Sequence, residues 1–243
     1  MKRIGLALFV GALILTLRTV SGQNFTNLNF ESARIVPDPA FYSEFGNYVV
    51  YASNALPGWI ISGFLGQNDL FYNTYSLGAP SVSIFGATNN PPPLDGHFSV
   101  DLYGGVPGPP GNGAYIAQTG LVPASAKSIE FIATGAPFGG NTVLLVSLGG
   151  QNIPFGAIST TPDYTLCAGD VSAFAGQVEQ LEFYTPFNTG INNYWEIDDI
   201  QFSPNAIPEP GVLVLAFSGA TILGVQGLRK RDSFWRVIRG YRR

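Results

Sequence analysis

Gly, Pro, Asn and Ser interrupt residues 23–206 every few positions, and this punctuation decides what the span can become. The runs between them are short and rich in Val, Ile, Phe and Tyr, and several alternate with a period of two. That is the pattern of strands bounded by turns, each with one face buried. In 127–134, Ile129 and Phe131 share a parity opposite Glu130 and Ile132. In 178–184, Leu181 and Phe183 share a face. No stretch of this span carries the 3.6-residue stripe of an amphipathic helix. The predicted strands are Asn27–Glu31, Tyr48–Ala52, Gly58–Ser62, Ser81–Phe85, His97–Leu102, Ala114–Gln118, Lys127–Thr134, Thr142–Leu148, Tyr164–Cys167, Gln177–Tyr184 and Tyr194–Phe202. The fold class expected is all-β, an antiparallel two-sheet sandwich. Roughly 184 residues suffice for one domain with a real core. Asn89–Pro93 and Gly104–Gly113 are Pro- and Gly-rich, and read as surface connections or as a ligand rim rather than central strands. Cys167 is the single cysteine. No intrachain disulfide can form, so stability rests on packing, with a bound ion as a further option.

The two ends differ from this middle. Met1–Gly22 has Lys2 and Arg3, then an uncharged apolar run from Ile4 to Leu17, then Arg18 and the small residues Ser21 and Gly22. It reads as a secretory signal helix, with Gln23 as the expected mature N-terminus. Near the other end Pro208-Glu209-Pro210 precedes Val212–Leu228, which holds no charged residue. Both prolines lack an N–H and fix φ, so the triplet is a stiff, extended spacer. As a helix, 212–228 is about 26 Å long at ~1.5 Å per residue, just under a ~30 Å hydrocarbon core. Glycines at 219, 224 and 227 suit a membrane helix better than an aqueous one. Arg229-Lys230-Arg231 follows and favours the cytoplasmic side. The tail 232–243 interleaves Phe234, Trp235, Val237 and Ile238 with four arginines, as a basic amphipathic segment on the inner membrane surface would. The expected organisation is a signal peptide at 1–22, a β domain at 23–206, a membrane-inserting signal at 207–231 with its helix at 212–228, and a basic tail at 232–243.

Charge follows the same division. Of twelve Lys and Arg, three lie in the first 22 residues and seven after residue 228, leaving only Arg34 and Lys127 in the domain. Of sixteen acidic residues, only Glu209 and Asp232 lie outside it. The span 23–206 therefore carries a formal charge of −12, against −4 for the whole chain. Such a surface repels nucleic acid and anionic lipid and suits an extracellular protein.

The order Pro-Glu-Pro, apolar helix and basic cluster resembles the PEP-CTERM sorting signal of exported bacterial proteins. The resemblance implies one membrane helix, an exosortase-type membrane protease as partner, and release to the cell surface or an extracellular polysaccharide matrix. Its residues here are Pro208, Glu209, Pro210, Arg229, Lys230 and Arg231. This chain continues further past its basic cluster than the family usually does.

Two parts of the domain resemble jelly-roll carbohydrate-binding modules with a galactose-binding-like fold. These are Leu28-Asn29-Phe30-Glu31 with Leu56-Pro57-Gly58-Trp59, and the closing run Trp195-Glu196-Ile197-Asp198-Asp199-Ile200-Gln201-Phe202. The middle of the chain shows no matching motif. The resemblance implies a jelly-roll-like sandwich and a structural calcium ion shared by Glu31 and Asp199, with Asp198 as the alternative ligand. Carboxylates and backbone carbonyls are the oxygen donors calcium wants. The closing run also changes parity between Ile197 and Ile200, which a bulge at Asp198-Asp199 would explain. The competing reading of the two aspartates is an acidic edge strand that resists aggregation.

No fingerprint of catalysis is present. His97 is the only histidine, in a strand-like run. Nucleophile-elbow, zinc-protease, P-loop and dinucleotide motifs are absent from the sequence. Cys167 reads as a small buried hydrophobe. Asp95, Asp101 and Glu130 are the carboxylates a glycosidase test would begin with. Tyr42, Tyr51, Trp59, Phe71, Tyr72, Tyr75, Tyr103 and Tyr115 are available as sugar platforms, although most aromatics of a β domain pack its core. The expectation is a non-enzymatic exported surface or matrix protein. A secreted carbohydrate-binding module is the alternative, and a secreted glycosidase a third.

Overall fold

The computed structural model describes residues 23–76, 78–89, 91–105, 113–135, 142–187 and 193–207. The expected signal peptide, Pro-Glu-Pro motif, apolar helix, basic cluster and tail all lie outside the described residues. Among the described residues no helix is long and apolar enough to cross a membrane.

The described residues are mostly β. Their strands are β1 (Val49–Tyr51), β2 (Ile60–Ser62), β3 (Asp69–Tyr72), β4 (Ser81–Gly86), β5 (Phe98–Tyr103), β6 (Ala114–Leu121), β7 (Ser128–Gly135), β8 (Leu145–Leu148), β9 (Gln151–Asn152), β10 (Phe155–Thr160), β11 (Thr165–Asp170), β12 (Val178–Thr185) and β13 (Tyr194–Ser203). One sheet has eight strands in the order β1-β3-β4-β5-β13-β7-β11-β10; the other has five, β2-β6-β12-β8-β9. The arrangement is consistent with a sandwich. Single-turn helices, α1 (Tyr42–Phe45) and α2 (Ala52–Ala55), flank β1.

The core lies between the sheets, and alternation explains its membership. Ile129, Phe131 and Ala133 of β7 belong to one buried cluster with Leu181 and Phe183 of β12. Phe131 and Phe183 meet edge-to-face across the layers, with ring centroids 5.1 Å apart at 86°. Each fully buried phenylalanine is worth about 1.5–3 kcal/mol of transfer free energy. Cys167 joins the same cluster as a buried thiol, and burial pushes its pKa up to about 11. The thiol therefore stays protonated at neutral pH.

The eight-stranded sheet departs from simple half-burial. Every residue of β4 is buried, and all of β5 except Phe98. Val82, Ile84, Val100 and Leu102 face the core. The alternate positions, Ser81, Ser83, Ser99 and Asp101, are also buried. Part of the cover on this outer face is Tyr75, which packs on Tyr103 with ring centroids 5.9 Å apart. That cover follows from an unusual connection. β3 and β4 pair parallel, Phe71 against Ser83 and Tyr72 against Ile84, so this sheet is mixed and not wholly antiparallel as the sequence led one to expect. Residues 73–80 must therefore carry the chain back to the start of β4. Asn73 begins the return with φ +52, donates its N–H to Ile84 O, and accepts Gly86 N–H at its side-chain oxygen.

Two sequence expectations need correction. Asn27–Glu31 is a turn and not a strand, because Asn27 and Phe30 both sit at positive φ (51° and 56°). Phe30 is nonetheless fully buried beside Trp59. The aspartates of the closing run are also not on an edge, since β13 lies between β5 and β7. The parity change itself is real. The β13–β7 register shifts between Asp198 and Gln201, with Asp199 at φ +48. One extra residue there returns Ile200 to the buried side that Ile197 occupies.

Candidate functional site

Glu31 and Asp198 converge on one turn, Asp95–Phe98, which leads into β5. Glu31 Oε1 accepts the N–H groups of His97 (2.7 Å) and Phe98 (3.0 Å), and Oε2 lies 3.0 Å from His97 Nδ1. Burial tends to raise the Glu31 pKa, but these hydrogen bonds and the imidazole outweigh it and hold it below the usual value. Asp198 Oδ2 accepts Asp95 N–H at 3.2 Å, and Oδ1 accepts Asp199 N–H at 2.7 Å. Asp198 is buried, whereas Asp199 is exposed on the bulge. Gly96 sits between the two carboxylates at φ +56, where an added Cβ would collide with Glu31 Oε1. The bulge is tied to the first segment as well, through Ile200 N–H to Leu28 O at 3.0 Å. The opening and closing segments of the described domain thus meet where the sequence pointed. Both carboxylates already accept backbone N–H groups, and among the described residues no group of three or more His, Cys, Asp or Glu is placed to hold a metal. As arranged, these carboxylates clamp a turn; a calcium ion, which takes six to eight oxygen ligands, would need backbone carbonyls and water besides them.

A second acidic constellation lies on the outer face of the eight-stranded sheet. Glu196 of β13 stands directly opposite Asp101 of β5, and Asp101 opposite Ser83 of β4. Both acids are buried, 3% and 2% exposed. Ser99 Oγ donates a short hydrogen bond to Glu196 Oε1. Asp101 Oδ1 and Ser83 Oγ are buried without a hydrogen-bond partner. Neither of the domain's two basic side chains pairs with these acids; His97–Glu31 is the one ion pair among the described residues. Burial, then the neighbouring Glu196, raises the Asp101 pKa well above the ordinary carboxylate range. Burial lifts Glu196 to about 7, with Ser99 pulling the other way. At least one proton is therefore retained on this pair near neutrality.

Beside it, over the edge of the same sheet, an open cleft of about 640 Å³ is lined mainly by aromatic rings. Phe45 of α1 and Phe71 of β3 contact edge-on at 5.6 Å. Tyr48, Phe64 and Tyr75 stand at the cleft 55%, 58% and 53% exposed. Polar side chains among the aromatics are Glu44, Thr74 and Ser76. Separate parts of the chain supply these groups: the turns before β1, the turn between β2 and β3, β3 itself through Phe71, and the return that follows it. The return is held by Ser76, whose Oγ accepts Gly78 and Ala79 N–H and donates to Ala79 O at 2.8 Å. Phe64 sits in a tight turn closed by Gly66 N–H to Gly63 O at 3.0 Å. Exposed rings flanked by hydroxyls and a carboxylate can stack on the apolar face of a pyranose and hydrogen-bond its rim.

Of the aromatics named from sequence, Phe71 and Tyr75 line this cleft. Tyr103 is outside the lining and packs against Tyr75, the two rings tilted at 45°. Trp59 is core: 7% exposed, with Nε1 donating to Asn27 O at 3.0 Å. Tyr51 is tied to Asp38 at 3.2 Å. Tyr42 is exposed outside the lining, and Tyr72 and Tyr115 are half-buried. Asp95 and Glu130 do not join the buried acid pair; Glu130 lies near Ser128 and Gln201. Sequence reasoning missed Glu44, Phe45, Tyr48 and Phe64 as a group. The one available signal was a large aromatic, Phe64, in a glycine-flanked turn where burial is scarce. Against protein-family models, curated proteins and solved structures, the chain finds no match.

Proposed function

We propose that this chain is a non-enzymatic exported protein that works at the cell surface or in extracellular polysaccharide, and that the aromatic cleft is where it meets that polysaccharide. The observation that carries the binding reading is Tyr48, Phe64 and Tyr75 exposed together around one cleft. Single exposed aromatics are ordinary, but a contiguous set with interspersed polar groups is a feature of binding surfaces. A jelly-roll-like, galactose-binding-like sandwich is the finer fold reading, supported by the meeting of the opening and closing segments.

Export and sorting rest on the sequence. The leader at 1–22 directs the chain outward, and the Pro208–Pro210 motif, the helix at 212–228 and Arg229–Arg231 present it to an exosortase-type protease. The domain's charge of −12 keeps it off nucleic acid and anionic lipid. Glu31 and Asp198 act as a metal-free clamp on the Asp95–Phe98 turn, since both already accept backbone N–H groups there, while Asp199 stands exposed on the bulge. The glycosidase reading gains nothing from Asp101 and Glu196, which are too buried to meet a substrate.

Two measurements test the proposal. Mass spectrometry of the extracellular fraction should find a protein lacking 212–243; surface protein with an intact C-terminus throughout would refute processing. Polysaccharide pull-down with the full chain should retain it, and the Tyr48→Ala, Tyr75→Ala double variant should be lost from the pellet. Equal retention of both would refute the cleft as the binding site.

A further inference from the structure

Resting on the glycan-binding reading above, we infer that the cleft selects a polysaccharide free of acidic substituents, and that Glu44 sets this preference. Glu44 is the charged side chain among the described lining residues, and it is exposed to an incoming ligand. Among the described residues no Lys, Arg or His lines the cleft to receive a uronate, sulfate or phosphate. The domain owns two basic side chains: Arg34, whose backbone N–H bonds Asn54 O, and Lys127, whose backbone N–H bonds Ser203 O. Neither lines the cleft, and His97 is held at Glu31. The positions of 23–206 outside the described residues add no counter-charge, because 77, 90, 106–112, 136–141 and 188–192 contain no Lys, Arg or His.

The electrostatics then act in one direction. An acidic chain approaches a domain of charge −12 and must place its anions beside Glu44 with nothing to pair them. Anion recognition normally uses Arg or Lys for this purpose. An uncharged sugar loses nothing: its ring faces meet Tyr48, Phe64 and Tyr75, and its hydroxyls can donate to the Glu44 carboxylate. Glu44 thus works both as an acceptor for neutral sugars and as a repellent for acidic ones.

The test uses the full chain, a neutral β-glucan, xylan and galactomannan, and the carboxymethyl derivative of each, with a chelator present to remove bridging cations. Cleft-dependent binding is the difference between the wild type and the Tyr48→Ala, Tyr75→Ala double variant, which subtracts binding by the basic tail. At low salt the carboxymethyl form of a bound glycan should bind the cleft about tenfold more weakly than its neutral parent, or more weakly still. Glu44→Gln should narrow that gap by about threefold, and high salt should narrow it in the wild type by screening. Equal cleft-dependent affinity for both forms, or a gap that Glu44→Gln leaves unchanged, would overturn this inference while the glycan reading stood. No cleft-dependent binding to any of the polysaccharides would overturn both.

Discussion

Raising the pH should weaken this domain, and Glu196 should carry a measurable part of the loss. The perturbation is Glu196→Gln, which keeps the shape and the acceptor for Ser99 Oγ but removes the titration. In the folded state burial puts Glu196 near 7, against an ordinary 4.5. Between those values the folded protein binds more protons than the unfolded chain, so stability falls as pH rises. The contribution is fully present below about 4.5 and is lost as pH climbs through about 7. At ~1.36 kcal/mol per decade this amounts to about 3 kcal/mol. Asp101, Asp198 and Asp69 shift in the same direction and steepen the wild-type slope. Glu31 and Asp170 shift oppositely; their contributions are present above the ordinary carboxylate range and are lost as pH falls. They therefore act at the acid end and leave pH 5–8 to the buried acids. Urea unfolding at intervals from pH 5 to 8 gives the assay. The wild type should lose stability across this window, and Glu196→Gln should lose about 2.5 kcal/mol less, or about 5–10 °C in thermal melts. Wild-type stability that is flat or rising from pH 5 to 8, or parallel curves for the two proteins, would refute the argument.

Three further outcomes follow from other parts of the structure. Phe183→Ala should cost about 3–5 kcal/mol in urea unfolding, because it opens a cavity against Phe131 between the sheets. Asp199→Gly should be neutral or stabilising by up to about 1 kcal/mol, since glycine adopts φ +48 without penalty and Asp199 is exposed. A marked loss of stability there would mean that its carboxylate has a partner. Addition of a chelator should leave the melting temperature of the full chain within about 1 °C, as a metal-free clamp at Glu31 and Asp198 requires; a fall of several degrees would restore calcium to the site.

Strand positions were legible because side-chain alternation is local. Ten of the eleven predicted runs contain a strand, and the inward parities of β7 and β12 read directly from 127–134 and 178–184. β3, β9 and β10 went unread for physical reasons; β9, Gln151–Asn152, is only two exposed residues long. β3 is four residues long, and β10 is an almost fully exposed strand at the end of its sheet, with no buried face to impose alternation. The one wrong run, Asn27–Glu31, alternates like a strand but buries Phe30 by turning the chain at positive φ.

By itself, the order of residues determined the all-β character, the bulge in β13 and the division between an acidic domain and apolar, positively tipped ends. Each of these depends on near neighbours: parity within a run, one inserted residue, or net charge over a span. Tertiary structure alone decided that β13 is an interior strand, that Glu196 stands opposite Asp101, and that Glu44, Tyr48, Phe64 and Tyr75 share a cleft. These facts depend on which distant strands pair and on how a parallel β3–β4 step folds its return over the sheet. Pairing partners are set by the free energy of the whole core, so no local window of the chain records them.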